Sequence, residues 1–309
     1  MASQSATSIA VQRSLARQRR DATGLAFSIL LLLAMLLTLV ILVVLLVDQV
    51  TRAIPVFQER GVDFLTSGLS SNPANAGVFQ GLVGSIVMGM LVAVLCFPLG
   101  ILTAVYLEEY AGDNLLTRFI DINIRNLAGV PSIVYGLLGL TVFVAFFAAL
   151  GFPNNGRNII AGAVTLTALI LPIVIITSSE ALRSVPKTLR EGGYGVGASR
   201  WEVTRQLVLP AARPGILTGT ILALARALGE TAPLLLAGAI LGTFSTSGSL
   251  QDLFTGPYTV LPMTVYDWAR KPQEEFRALT SAAIVVLLVL TLSFNTLAIL
   301  LRNRYQKRW

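Results

Sequence analysis

Apolar residues in this chain are gathered into six long runs, not spaced at the three-to-four-residue interval of a soluble amphipathic helix or the alternation of a half-buried strand. The first, residues 25–47, reads "LAFSILLLLAMLLTLVILVVLLV" and holds no charge over 23 positions. At about 1.5 Å per residue it covers a bilayer core of roughly 30 Å, which predicts a transmembrane helix. It exceeds the ~7 to 15 apolar residues of a secretory leader, and no small-x-small cleavage site follows, so a cleaved signal is the weaker reading. Five further runs at 81–107, 127–150, 159–179, 215–241 and 280–301 are each about the length needed to cross. The expected fold is therefore all-α and integral to a membrane, with six transmembrane helices.

Six crossings place both ends of the chain on one side. The tails, together with residues 108–126 and 180–214, hold 16 of the 23 Lys and Arg, whereas the other three loops hold 6. Cytoplasmic loops carry the basic excess, so both termini are expected in the cytoplasm. This divides the chain into a cytoplasmic tail (1–24), a first span (25–47), an extracytoplasmic loop (48–80), a core (81–301) containing the cytoplasmic loop 180–214, and a second cytoplasmic tail (302–309). Glycines and prolines crowd the core spans, where small residues let helices approach closely. The first span is mostly leucine and valine and is expected to be a peripheral helix facing lipid.

Composition agrees with this picture. Of 309 residues, 54% are hydrophobic and 13% charged, where a soluble domain carries about 25% charged residues. The net charge of +7 arises from basic residues beside the spans, where they set topology, so no nucleic-acid partner is expected. One cysteine, Cys96, excludes an intrachain disulfide, and the absence of histidine excludes His-based metal sites and proton relays.

One basic residue and one acidic residue lie inside a predicted span. They are Arg226 and Glu230 of "RALGETAP", residues 226–233. Arg226 is 11 residues, about 17 Å, from the cytoplasmic start of the fifth span, near the bilayer centre. A charge there costs about 2.5 to 3.5 kcal/mol on insertion scales and usually faces a polar cavity or a partner. Glu230, four residues on, can neutralise it on the same helix face, although a neighbouring helix could equally supply the pairing. Pro233 removes the hydrogen bond to the carbonyl of Gly229, so a kink is expected there. Two roles stay open: a translocation site for an anion, or a bridge that fixes the fifth span.

Loop 180–214 reads as two short helices. The first is expected to start with Ser184 as N-cap and Pro186 in its opening turn, and to be weakened and ended by Gly192, Gly193, Gly195 and Gly197. The sequence "SRWE", Ser199 to Glu202, is a capping box for a second helix that presents Trp201 and Leu207 and is expected to stop at Pro210.

The loop resembles the EAA loop of the integral-membrane permease subunits of type I ABC importers. Glu191 stands at the start of that pattern, Gly197 at its glycine, Leu207 at its hydrophobic position, and Leu209 and Pro210 at its close; Gly192 and Gly193 replace its two alanines. The resemblance implies the type I ABC importer permease fold and a coupling loop that docks on a separate ATPase. The chain has no Gly-Lys dipeptide and hence no P-loop, so it is expected to be a transporter subunit and not an enzyme; ATP and Mg would be bound by the partner. "ALARALGETAPLLL" (223–236), "FPLGILTAVYLEEYA" (97–111), "GVPSIVYGLLGL" (129–140) and "LPIVIITSSEALRSVP" (171–186) resemble the phosphate permeases of bacterial plasma membranes, a likeness that covers nearly all the chain from about residue 81. In that branch the subunit pairs with a homologous permease, PstC, above two copies of the ATPase PstB, and the binding protein PstS delivers phosphate. An arginine suits such cargo, since its guanidinium offers planar, bidentate donation to phosphate oxygens without losing its proton. An ABC permease for sulfate or molybdate is the nearest alternative. A secondary anion transporter is another, although it would need no ATPase-docking loop.

Overall fold

A computed structural model describes residues 22–239 and 254–305. Residues 1–21 of the N-terminal tail, 240–253 at the end of the fifth predicted run and in the loop that follows it, and 306–309 of the C-terminal tail lie outside the described residues. Those described are helical or loop, with no strand among them, and six helices are long and apolar enough to cross a membrane.

The chain divides into two compact units, Met1–Thr51 and Arg52–Trp309. Helix α1 (Ala22–Arg60) contains the boundary. In the first unit its apolar window has no buried residue. It runs past the expected end of the span at residue 47, because Ala53, Val56 and Phe57 recur at helical spacing and pack with Phe64, Trp268 and Phe276. Gly61, in the left-handed region at φ +49°, ends it. The loop expected over 48–80 therefore begins as helix and continues through a short turn, α2 (Asp63–Thr66).

The second unit is built around α3 (Phe79–Val105), which ends in a π-helical turn, Tyr106–Tyr110. Helix α4 (Leu115–Ala128) follows as a separate piece, because Pro131 interrupts the backbone before α5 (Ser132–Leu138). Helix α5 continues through a π turn into α6 (Ala145–Ala149) to complete the third span. The fourth span, α7 (Ile159–Arg183), is the most buried of the six, with α3 and α10 (Leu209–Gly229) packed against it. Val92, Cys96, Ile170, Val174 and Leu224 fill the space between them.

The helices of the loop between the fourth and fifth spans are α8 (Lys187–Gly195) and α9 (Arg200–Val203), the latter merging into a π turn, Thr204–Val208, and then α10. The last elements are α11 (Ala232–Leu236), α12 (Leu261–Ala269) and α13 (Glu275–Tyr305).

Two expectations about the loop are corrected. Ser184 is not an N-cap: α7 runs through Arg183, Ser184 closes it, and its hydroxyl donates to the Ala181 carbonyl at 2.7 Å. Pro186 itself caps α8 without a side-chain hydrogen bond. Pro210 does not stop the second helix but stands in the first turn of α10. A proline clashes with the carbonyl four residues back and lacks an N–H, and the wider π turn preceding it accommodates both, so the capped loop helix and the fifth span form one continuous helix.

Candidate functional site

Arg226 and Glu230 meet at the end of α10. The helix stops at Gly229, and Glu230 is extended at φ −78°, ψ 126°. Pro233 lies in the first turn of α11, so the expected kink is a complete break between two helices. Glu230 thus leaves the helix and folds back on it, with its Oε1 3.2 Å from Arg226 Nε. Gly229 has no positive φ, and a Cβ there would meet nothing within 4 Å, so its small size is not what permits the break. The break is pinned elsewhere: a Cβ on Gly136 of α5 would lie 2.9 Å from the Pro233 Cα, so the third span needs glycine there to receive the start of α11.

The two charges differ in environment. Arg226 is 56% exposed and Glu230 16%. Ala223, Leu224, Ala227 and Leu228 are buried, whereas Leu222 and Gly229 share the open face with Arg226. Leu228 abuts Gly89, ten residues or about 15 Å along α3 from its start, which sets the pair well inside the helical bundle.

The predicted loop site lies at the other end of α10. Gly197, at φ +84°, follows α8, with its N–H donating to Tyr194 and the Ala198 N–H to Gly193. This paired closure satisfies the last carbonyls of α8 and requires the left-handed conformation that glycine supplies. The capping box is present: the Ser199 hydroxyl accepts from the Glu202 N–H at 3.4 Å, and Glu202 accepts from the Ser199 N–H at 2.8 Å. Hydrogen bonds from the Ser199 hydroxyl and backbone hold the Glu202 carboxyl below its ordinary pKa. Gly192 and Gly193 do not prevent α8 from forming. Gly193 is buried where a Cβ would come 2.8 Å from Val203, which lets α8 lie close on the next helix.

Trp201 is 55% exposed, with Arg205 over its ring at 6.0 Å. Leu207 and Leu209 are half-buried and pack into the cluster of Leu182, Val203 and Ile216. Glu191 is exposed. Leu189, Gln206, Leu207, Pro210 and Ala211 line an apolar cleft of about 410 Å³. Of the predicted loop residues, Leu207 and Pro210 share the cleft, Trp201, Glu202 and Glu191 are exposed, and Leu207 and Leu209 also pack inward, while Arg226 and Glu230 form a separate centre at the far end of α10. Among the described residues no three His, Cys, Asp or Glu side chains gather as a metal site.

Sequence reasoning missed four charges at the foot of the bundle. Glu109 pairs with Arg190 at 2.7 Å and Glu108 with Arg183 at 2.8 Å. Adjacent glutamates at the end of an apolar run were a signal, but partners 75 and 81 residues away in sequence were not readable from it.

A bundle with six helices long and apolar enough to cross a membrane, the fifth growing directly out of a capped helical knob, has the architecture of an integral-membrane protein. The chain belongs to the family described as "Binding-protein-dependent transport system inner membrane component", whose model matches residues 96–307. It is 37% identical to "Probable ABC transporter permease protein YqgH" of Bacillus subtilis (strain 168), over 63% of this chain and 65% of that one, and so spans just under two thirds of that relative. It is 38% identical to "Phosphate transport system permease protein PstA 1" of Mycobacterium tuberculosis (strain CDC 1551 / Oshkosh), over 73% of this chain and 70% of the relative. Among solved structures, a bacterial ABC transporter involved in import of the acidic polysaccharide alginate superposes with a TM-score of 0.62 at 14% identity, covering 94% of this chain and all of that one. The fold is that of type I ABC importer permeases, and the chain is a transporter subunit, not an enzyme. Family membership implies a separate ATPase and a substrate-binding protein.

Proposed function

We propose that this chain is a permease subunit of an ATP-driven importer of inorganic phosphate, forming half of the translocation pathway. The observation that carries the reading is the open face of α10. Arg226 projects from the side of the fifth span that the described residues leave uncovered, while the opposite side is packed. A guanidinium does not face lipid at that depth, so this side faces a second permease subunit and the path between them. With Glu230 covering only one edge of the guanidinium, donors remain for phosphate oxygens, and Glu230 offsets enough charge to keep binding weak and release fast. Kinship with a relative named for phosphate transport supports this cargo over sulfate or molybdate.

The partners in this reading are a homologous permease of the PstC kind, two PstB-like ATPases and a PstS-like phosphate-binding protein. Glu191, Gly197, Ser199, Trp201, Glu202, Leu207, Leu209 and Pro210 form or frame the ATPase-docking surface, to which Leu207 and Pro210 bring the 410 Å³ cleft they line. This chain binds no cofactor, and ATP and Mg are held by the ATPase. In this reading the protein sits in the bacterial plasma membrane, with the first span facing lipid and the remainder forming the core, and the basic excess on one side supports cytoplasmic termini.

The test is copurification after mild solubilisation, followed by transport in vesicles. A second permease and an ATPase should accompany the chain, and vesicles should accumulate phosphate with ATP, unaffected by excess sulfate or molybdate. Sulfate or molybdate uptake in place of phosphate would reassign the cargo. Transport without an ATPase would overturn the reading altogether.

A further inference from the structure

Four charged side chains that the phosphate reading does not use join the end of the second span to the root of the coupling loop. The π turn Tyr106–Tyr110 presents two successive glutamates to α7 and α8. Glu109 is 4% exposed and its partner Arg190 19%. Arg190 Nη2 donates to Glu109 Oε1 at 2.7 Å and to the Leu182 carbonyl at 2.9 Å. Its Nη1 donates to the Val185 carbonyl at 2.8 Å, and its Nε lies 3.3 Å from both Glu109 oxygens. Leu182 belongs to the last turn of α7, where carbonyls have no partner in their own helix, so one guanidinium closes that end and the carboxylate together. Beside it Arg183, in the same turn, holds Glu108 through two contacts of 2.8 Å.

The end of α3 is thereby tied to the adjoining ends of α7 and α8, 75 and 81 residues further along the chain. A buried pair is costly to open, because separating it strands an uncompensated charge, whereas an exposed pair slides freely. Arg190 is followed at once by Glu191, which is exposed on the outer side of α8 at the start of the coupling pattern. One side of α8 thus meets the ATPase while the other is fastened to α3. From Glu109, α3 and its π turn run back 20 residues, about 30 Å, to Gly89, which abuts Leu228, two residues beyond Arg226.

The geometry points to Glu109 and Arg190 as positioning residues that make α8, the foot of α7 and α3 one rigid lever, through which movement of the coupling loop shifts α3 against α10 beside Arg226. This rests on the reading of the chain as an ATP-driven permease, and the test separates the two.

Spin labels are placed at Leu102→Cys on α3 and Thr188→Cys on α8 in a Cys96→Ala chain, assembled with its partner permease and ATPases. The distance between them should be the same in nucleotide-free and ATP-trapped complexes. In Glu109→Gln, which keeps the size of the side chain and leaves Arg190 its carbonyl partners, the distance should change on trapping. ATP consumed per ion transported should rise about tenfold while ATPase copurification is unchanged. A label distance that changes on trapping in the otherwise native chain overturns the lever, as does a Glu109→Gln complex with fixed distance and native stoichiometry. If Glu109→Gln fails to assemble, the distance in the chain with Glu109 intact decides alone. A complex that hydrolyses ATP but moves no phosphate would overturn the cargo assignment and leave the distance result standing.

Discussion

Arg226 shows what one residue in a costly place can carry. Its bidentate geometry, and not only its charge, suits a tetrahedral oxyanion, so Arg226→Lys should transport weakly and Arg226→Gln should lose most uptake. Charge-assisted hydrogen bonds of about 1.5 to 3 kcal/mol set the expected loss at tenfold or more. ATPase copurification should be unchanged, because the pair lies far from the docking surface. Native phosphate uptake by Arg226→Gln vesicles would remove Arg226 from the pathway and leave the bridge as its role. Glu230→Gln should bind phosphate more tightly and release it more slowly, seen as falls in both apparent KM and maximal uptake; a rise in KM alone would contradict the release role. These two residues were legible in the sequence because charge inside an apolar run is costly and so marks its position, whether as a translocation site or as a bridge. Glu109 and Arg190 were not, since each read by itself is an ordinary charge near a membrane surface. Only tertiary packing, with 81 residues between them, makes them a buried pair.

At the scale of an element, the coupling loop separates what local chemistry dictates from what its neighbours decide. The capping box and the Gly197 turn form where the sequence placed them, because both are satisfied within a few residues. The roles of Ser184 and Pro210 were misread because each depends on whether the adjoining span continues into the loop, and the span does so at both ends. Two glycines then make a paired prediction. Gly197→Val forces a β-branched residue into the left-handed region at a cost of about 1 to 3 kcal/mol, and should reduce ATPase copurification and uptake together. Gly192→Ala meets open space inside α8 and should stabilise that helix by about 0.5 to 1 kcal/mol, with slower amide exchange there and uptake unchanged. Native ATPase recruitment by Gly197→Val would show that α8 and α9 are not the docking element. Removing the Trp201 ring as Trp201→Ala should weaken the same recruitment without altering α8 exchange, because the ring is largely exposed and its loss opens no cavity in the chain's own core.

At the scale of the whole molecule, orientation decides whether the two sites can work together, since Arg226 must lie between an outer entrance and an ATPase below. The charge distribution argues for one answer: 16 basic residues on one side against 6 on the other, carried by short loops and tails, where the bias acts most strongly. Two exposed residues serve as reporters that this topology assigns to opposite sides, Val62 before the second span and Val196 in the loop after the fourth. The one native thiol, Cys96, is buried in the bundle and gives a quiet background. An impermeant maleimide added to intact cells should therefore label Val62→Cys and spare Val196→Cys, and inside-out vesicles should reverse the pattern. The reverse result in cells would put the coupling loop outside, where no ATPase can reach it. Labelling of both positions would break the six-crossing topology, because three crossings, an odd number, lie between Val62 and Val196 and must put them on opposite sides.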